Sequence, residues 1–162
     1  MKRVLCLILA ISFLLSGCSF FGERIKNPVT FYYLCDKYEE ELCCVIVSEE
    51  REASGHVGDL SYLLAIYLIG PVNEETASSP YPGLQLTSHQ DDSHIELNLK
   101  NLPASVSEID FSLTCACLAL TCLDITGAED VTIHSGDRSR TLDLQSLTLY
   151  DTAAEPTSAE ET

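Results

Sequence analysis

"LTCACLALTC", residues 113–122, places three cysteines among residues that are otherwise small or aliphatic. A thiol cluster suggests a metal or redox centre, yet the same run also reads as a packed helix. Helical geometry separates the two. After Pro103, Ser105 with Glu108 has capping-box spacing, so the sequence predicts a helix over about residues 106–124. At about 100° per residue, Cys115 and Cys122 lie about 20° apart on a face shared with Phe111, Leu118 and Ile125. Cys117 falls about 200° from Cys115, on the stripe Asp110, Thr114, Cys117, Thr121, Asp124. The sulfurs of Cys115 and Cys117 then point to opposite sides. They cannot chelate one ion, which needs every thiolate at about 2.3 Å from a single centre. Cys115 and Cys122 are expected in the core as small hydrophobes, and Cys117 at the surface.

Working outward, the chain alternates strand-like and helix-like stretches. "NPVTFYYLC" (27–35) and "CCVIVSE" (43–49) are β-branched and aromatic, the signature of strands, and "DKYEEEL" (36–42) connects them. "GDLSYLLAIYLIGP" (58–71) reads as a helix that is apolar on nearly all sides, and burial against a sheet is expected. Asp59 is placed to cap its start, and Gly70-Pro71 to stop it. "VNEETASSPYPG" (72–83) is a loop by composition. "LQLTSHQ" and "SHIELNL" alternate with period two around a turn at Asp91-Asp92, so that Leu84 and Leu86, and Ile95, Leu97 and Leu99, share faces. "DVTIH" and "SRTLDL" form a last pair of strands around Ser135-Gly136-Asp137. The order β-β-α-β-β-α-β-β predicts an α+β fold with two helices packed on one side of a mixed sheet.

The ends of the chain are different in kind. "MKRVLCLILAISFLLSGCSF" opens with Lys2 and Arg3, followed by a 12-residue apolar stretch from Val4 to Leu15 interrupted only by Ser12. That run is shorter than the roughly 20 residues of a membrane-crossing helix, and it reads as a signal segment. Leu15-Ser16-Gly17-Cys18 resembles the bacterial lipobox, which implies cleavage before Cys18 and diacylation of its thiol. Residues 1–17 are therefore expected to be a lipoprotein signal peptide, and 18–27 the lipidated cysteine with its tether. The domain is expected over 28–150. "DTAAEPTSAEET" (151–162) has no large apolar residue and reads as a disordered acidic tail.

Charge excludes one class of partner. Two of the 9 basic residues, Lys2 and Arg3, lie in the leader, so 7 face 25 acidic ones and the net charge is about −18. Nucleic acid is not expected as a partner, because a phosphate-binding surface needs clustered Lys or Arg. A hydrophobic content of 46% is enough for a true core.

"VTFYYL", "LLAIYLIGP", "PGLQLTSHQDDSHIELNLKNL" and "CLALTCLDITGAEDVTIHSGDR", in this order, are similar to the GerM domain of sporulation and spore germination. The resemblance covers roughly residues 28–144 and rests chiefly on Leu68-Ile69-Gly70-Pro71 and on the stretch from Thr121 to Gly136. The Asp91-Asp92 turn, where the family often has Gly, and the cysteines depart from its pattern. The resemblance implies a small α+β module, similar to ring-building motifs of sporulation secretion complexes. It carries no catalytic residues across.

Taken together, these features point to a lipid-anchored binding or assembly module on the extracytoplasmic face of a Gram-positive cell membrane. No catalysis of its own and no cofactor are expected. Its expected partners are the membrane through the anchor, envelope proteins or cell-wall components, and other copies of itself. An accessory to an envelope hydrolase or amidase, and a metal- or thiol-linked lipoprotein, are the alternatives. For the latter, His89, His94, Asp91 and Asp92 at the hairpin tip are candidate metal ligands, although a polar hairpin tip has the same composition. Cys35 with either Cys43 or Cys44 is a candidate disulfide across the first connection. His56 and His134 stand alone. Motifs for acyl transfer, nucleotide phosphates or zinc hydrolysis do not occur.

Overall fold

Alternation decides the sheet. In His94–Lys100, Ile95, Leu97 and Leu99 are buried while His94, Glu96 and Asn98 remain half-exposed. The computed structural model describes residues 25–35, 45–53 and 55–148. Cys18, Cys43 and Cys44, the leader and the acidic tail lie outside the described residues. The elements in order are β1 (Pro28–Leu34), β2 (Ile46–Glu52), α1 (Leu60–Ile69), β3 (Gln85–Asp91), β4 (His94–Lys100), α2 (Glu108–Thr126), β5 (Asp130–Ser135), β6 (Arg138–Asp143) and α3 (Leu144–Thr148).

The fold is α+β, with a mixed four-stranded sheet in the order β3-β4-β5-β6. β3–β4 and β5–β6 are antiparallel hairpins, while β4 and β5 run parallel from His94↔Asp130 to Asn98↔His134. Parallel neighbours need a long crossover, and α2 is that crossover. α1 touches β3, and α2 touches β5 and β6. Both helices cover the face that carries Ile95, Leu97, Val131 and Ile133, all fully buried.

Two features differ from a single sheet with two helices. β1 and β2 form a separate antiparallel pair, in register from Pro28↔Glu52 to Leu34↔Ile46. Its outer edge turns to α2 rather than to another strand: the Tyr32 N–H donates to Thr121 Oγ1 at 3.0 Å. The short α3 is an additional element, closed by reciprocal bonds between Asp143 and Ser146, at 2.6 Å to the Ser146 N–H and 3.0 Å to the Asp143 N–H.

The helix ends follow local chemistry. Asp59 accepts the Tyr62 N–H at 3.0 Å, the expected cap. Gly70 ends α1 at φ 105°, and a Cβ there would sit 2.6 Å from Ser79 Oγ. α1 buries the stripe Leu60, Leu63, Leu64 and Tyr67, and it packs against the sheet at β3 as expected. The cap of α2 is Ser107, not Ser105. Pro103 and Val106 close a turn (Val106 N–H to Pro103 O, 3.1 Å) that takes Ser105 away from the helix. Ser107 Oγ then accepts the Asp110 N–H at 3.1 Å and donates to Asp110 Oδ2 at 2.7 Å. Gly127, in the left-handed region, ends α2.

Candidate functional site

α2 is packed from two directions, and this determines which of its faces is left open. Phe111, Cys115, Leu118 and Cys122 are fully buried in the core, as the helical wheel predicts. The stripe of Thr114, Cys117 and Thr121 is buried too, because it faces β1. Cys117 is only 1% exposed, which overturns the expectation of a surface thiol. Thr side chains make this burial tolerable. Thr114 donates back to the Asp110 carbonyl at 2.8 Å, and Thr121 takes the Tyr32 N–H. Cys117 borders a small cavity of about 220 Å³, with Tyr67, Tyr81 and Thr114 among its neighbours.

Burial pushes the thiols of Cys115, Cys117 and Cys122 up to about 12. All three are protonated at neutral pH, so none supplies the thiolate that nucleophilic or metal chemistry requires. The thiol cluster that opens the sequence question is packing material. Cys35 donates its backbone N–H to the Val45 carbonyl at 2.8 Å, bringing the two ends of the 36–44 connection together. Its proposed partners, Cys43 and Cys44, lie outside the described residues.

The face of α2 that no described residue covers is apolar. Ile109, Leu113, Ala116 and Leu120 recur at steps of four, three and four, one side of a helix. They form one wall of a groove of about 810 Å³. Leu142 at the end of β6, with Leu144 and Leu147 of α3, forms the other wall, and Val45 and Ile46 also line the groove. Ile109 is 73% exposed and Leu144 59%, well above ordinary core positions. The polar lining consists of Glu108, Ser112 and Arg140. Arg140 donates to Glu108 Oε2 at 2.9 Å, and Arg138 lies 3.8 Å from Glu108 Oε1 while its guanidinium stands 4.4 Å over the Phe111 ring. Cavities of 300–1,000 Å³ lined mainly by apolar groups with a few placed polar ones are the usual form of ligand sites.

The hairpin histidines go elsewhere. Pairing of His89 with Glu96 and of Asp91 with His94 puts all four on the solvent face of the sheet, and Asp92 occupies the turn at φ 39°. The His94 ring engages Asp130 of the parallel neighbour β5 rather than His89 or Asp91. His134 lies 3.4 Å from Glu96. Among the described residues, no group of three or more His, Cys, Asp or Glu converges to hold a metal ion. His56 stacks on Tyr62, with ring centroids 4.0 Å apart.

α2 is also long and apolar enough to cross a membrane by length and composition. Its packing against β1, β5 and β6 makes it the core helix of this domain. Fold and geometry together define an α+β domain with an aliphatic groove beside its longest helix. No family model, curated protein or solved structure matches the chain.

Proposed function

We propose that this chain is a lipid-anchored cell-envelope module that binds through the groove beside α2 and performs no catalysis of its own. The observation that carries the reading is the open apolar face of α2, Ile109, Leu113, Ala116 and Leu120, in an otherwise strongly acidic molecule. Exposed apolar surface of this kind is costly unless something covers it. The sequence Leu15-Ser16-Gly17-Cys18 supplies the anchor, and two acyl chains hold a protein stably where one is marginal. The buried, protonated thiols and the exposed His–carboxylate pairs favour a binding role over chemistry. The GerM resemblance adds a setting, the sporulation, germination or wall programme of a Gram-positive cell, with envelope proteins or wall components met on surfaces other than the groove.

The anchor is tested by growing cells on an alkyne fatty acid and reading label on the wild-type chain and on Cys18→Ala. Label on the wild type, with uncleaved and unlabelled Cys18→Ala, is the expected outcome. An unlabelled wild-type chain, or unchanged mobility and detergent partitioning of the variant, overturns it. Cross-linking in native membranes tests the binding role, and Ala116→Phe should abolish whatever adduct the wild type forms at the groove.

A further inference from the structure

We propose that the groove beside α2 takes a single long aliphatic chain ending in a carboxylate, that is, a free long-chain fatty acid. The proposal rests on the groove being the binding surface and not on the anchor at Cys18, so the two fail separately.

The lining is the first argument. Among the described residues, neither wall carries an aromatic side chain, and the polar groups are confined to Glu108, Ser112 and Arg140. Protein-binding surfaces concentrate Tyr, Trp, Phe and Arg anchors and distribute hydrogen-bond partners across the patch. A peptide laid along this groove would leave its backbone N–H and C=O groups facing leucine and isoleucine, at a desolvation cost. An alkyl chain has no such groups to satisfy.

Dimensions are the second. From Ile109 to Leu120 the helix rises about 16 Å at 1.5 Å per residue. One leaflet of a bilayer, half of its roughly 30 Å hydrocarbon core, is about 15 Å deep, so an ordinary acyl chain matches the wall in length.

Charge selects the head group. Arg138 and Arg140 both approach the single carboxylate of Glu108, at 3.8 and 2.9 Å. Among the described residues, the ion pairs at this end of the groove set two guanidinium groups against one carboxylate, in a chain whose net charge is −16. The Arg140–Glu108 pair is exposed at the surface, so rearranging it costs little. A guanidinium fork donates two parallel hydrogen bonds to a carboxylate. Arg140 lines the groove beside the first turn of α2, where the head of a chain lying along Leu113, Ala116 and Leu120 would emerge.

The test uses the full chain in isolated membranes, given photoreactive palmitate and illuminated, with adducts mapped by mass spectrometry. Adducts on residues 109–120 and 142–147 are expected, in the wild type and equally in Cys18→Ala. Unlabelled saturated carboxylates should compete with strength rising up to about fourfold per added methylene, then levelling once the chain outgrows the groove. Ala116→Phe, which fills the groove from a half-buried position, should weaken labelling at least about tenfold, with thermal melts confirming an intact fold. Arg140→Gln should weaken palmitate about tenfold and leave the uncharged hexadecanol unaffected. Adducts scattered outside the groove, equal labelling of Ala116→Phe, or competition independent of chain length overturns the proposal. So does a concentration-dependent doubling of mass, abolished by Ala116→Phe, with no fatty-acid adduct; that outcome assigns the groove to a second copy.

Discussion

The Tyr32 N–H of β1 donates to the hydroxyl of Thr121 on α2 at 3.0 Å, joining two segments 89 residues apart. Thr121 is fully buried. This bond lets a strand edge lie against a helix, which otherwise offers no acceptor to a strand N–H. Thr121→Val keeps the shape and removes the acceptor, leaving a part-buried donor unsatisfied, so a loss at the lower end of about 1–3 kcal/mol is expected. Thr121→Ser should recover most of it. Urea unfolding of the three proteins measures both differences, and equal midpoints would remove the bond from the account of stability.

The three buried thiols predict a sensitivity to alkali. Cys115, Cys117 and Cys122 are pushed by burial up to about 12 in the folded chain. In the unfolded chain a thiol ionises near about 8.5. A raised folded-state value means that the folded protein keeps its protons while the unfolded one loses them. The stabilisation is therefore complete below about pH 8.5 and is lost as pH rises towards 12. Each thiol steepens the decline by up to about 1.4 kcal/mol per pH unit. Chemical denaturation between pH 7 and 10.5 should show the fall, and Cys122→Ala should flatten it, whatever its stability at pH 7.

Accessibility gives the same thiols a second test. With Cys117 at 1% exposure and its two neighbours at zero, none should react with a thiol reagent in the native state. All three should react once urea unfolds the chain. Peptide mapping after a short pulse of iodoacetamide distinguishes them, and rapid native alkylation of Cys117 would mean that the β1 side of α2 opens.

Much of this domain can be read from its residues, and the failures have physical causes. Asp59 and Gly70 mark α1 because capping and left-handed backbone are local properties. Ile95, Leu97 and Leu99 mark the inner face because strand alternation is local as well. Cys117 could not be placed that way. A wheel reports only that Thr114, Cys117 and Thr121 share a stripe, and Thr can satisfy its hydroxyl at home or against a neighbour, as both do here. Burial of the stripe depends on β1, more than eighty residues earlier. The groove has the same origin. The spacing of Ile109, Leu113, Ala116 and Leu120 is visible in sequence, but an uncovered apolar stripe looks identical to a covered one. His94 finds Asp130 only because β4 and β5 pair in parallel across α2, which hairpin reasoning cannot supply.

Gly70 should resist substitution for two reasons that can be separated. Its φ of 105° is rarely adopted by L side chains, and a Cβ would meet Ser79 Oγ at 2.6 Å and Ser79 Cβ at 3.3 Å. Gly70→Ala should cost about 1–3 kcal/mol from the backbone alone, with the contact adding to it. The double variant Gly70→Ala, Ser79→Gly removes the contact and keeps the strain. If thermal or urea unfolding of the double variant returned fully to the level of Ser79→Gly, the backbone strain would be negligible and the contact the whole effect.

Arg51 holds the corner that follows α1. Its guanidinium donates to Glu49 and to the Gly70 carbonyl, and lies 5.4 Å over the Phe31 ring and 5.9 Å over that of Tyr33. Glu49 in turn accepts the Val72 N–H at 2.9 Å and the Asn73 N–H at 3.3 Å, so one ion pair on β2 fastens the Gly70–Asn73 turn. The guanidinium covers aromatic faces with its planar side while its edge donates, a combination that an ammonium lacks. Arg51→Lys should therefore lose most of the stabilisation despite keeping the charge, about 1–3 kcal/mol as for a charged hydrogen-bonded group. Arg51→Met, which retains the aliphatic cover over Phe31 but no donor, should fall within about 1 kcal/mol of the lysine variant. Hydrogen exchange gives the more local reading. In Arg51→Lys and Arg51→Met alike, the amides of Val72 and Asn73 should exchange faster than global unfolding allows, while that of Tyr62, held by Asp59, keeps its relation to the global rate. Unchanged protection at Val72 would mean that Glu49 holds the turn without Arg51.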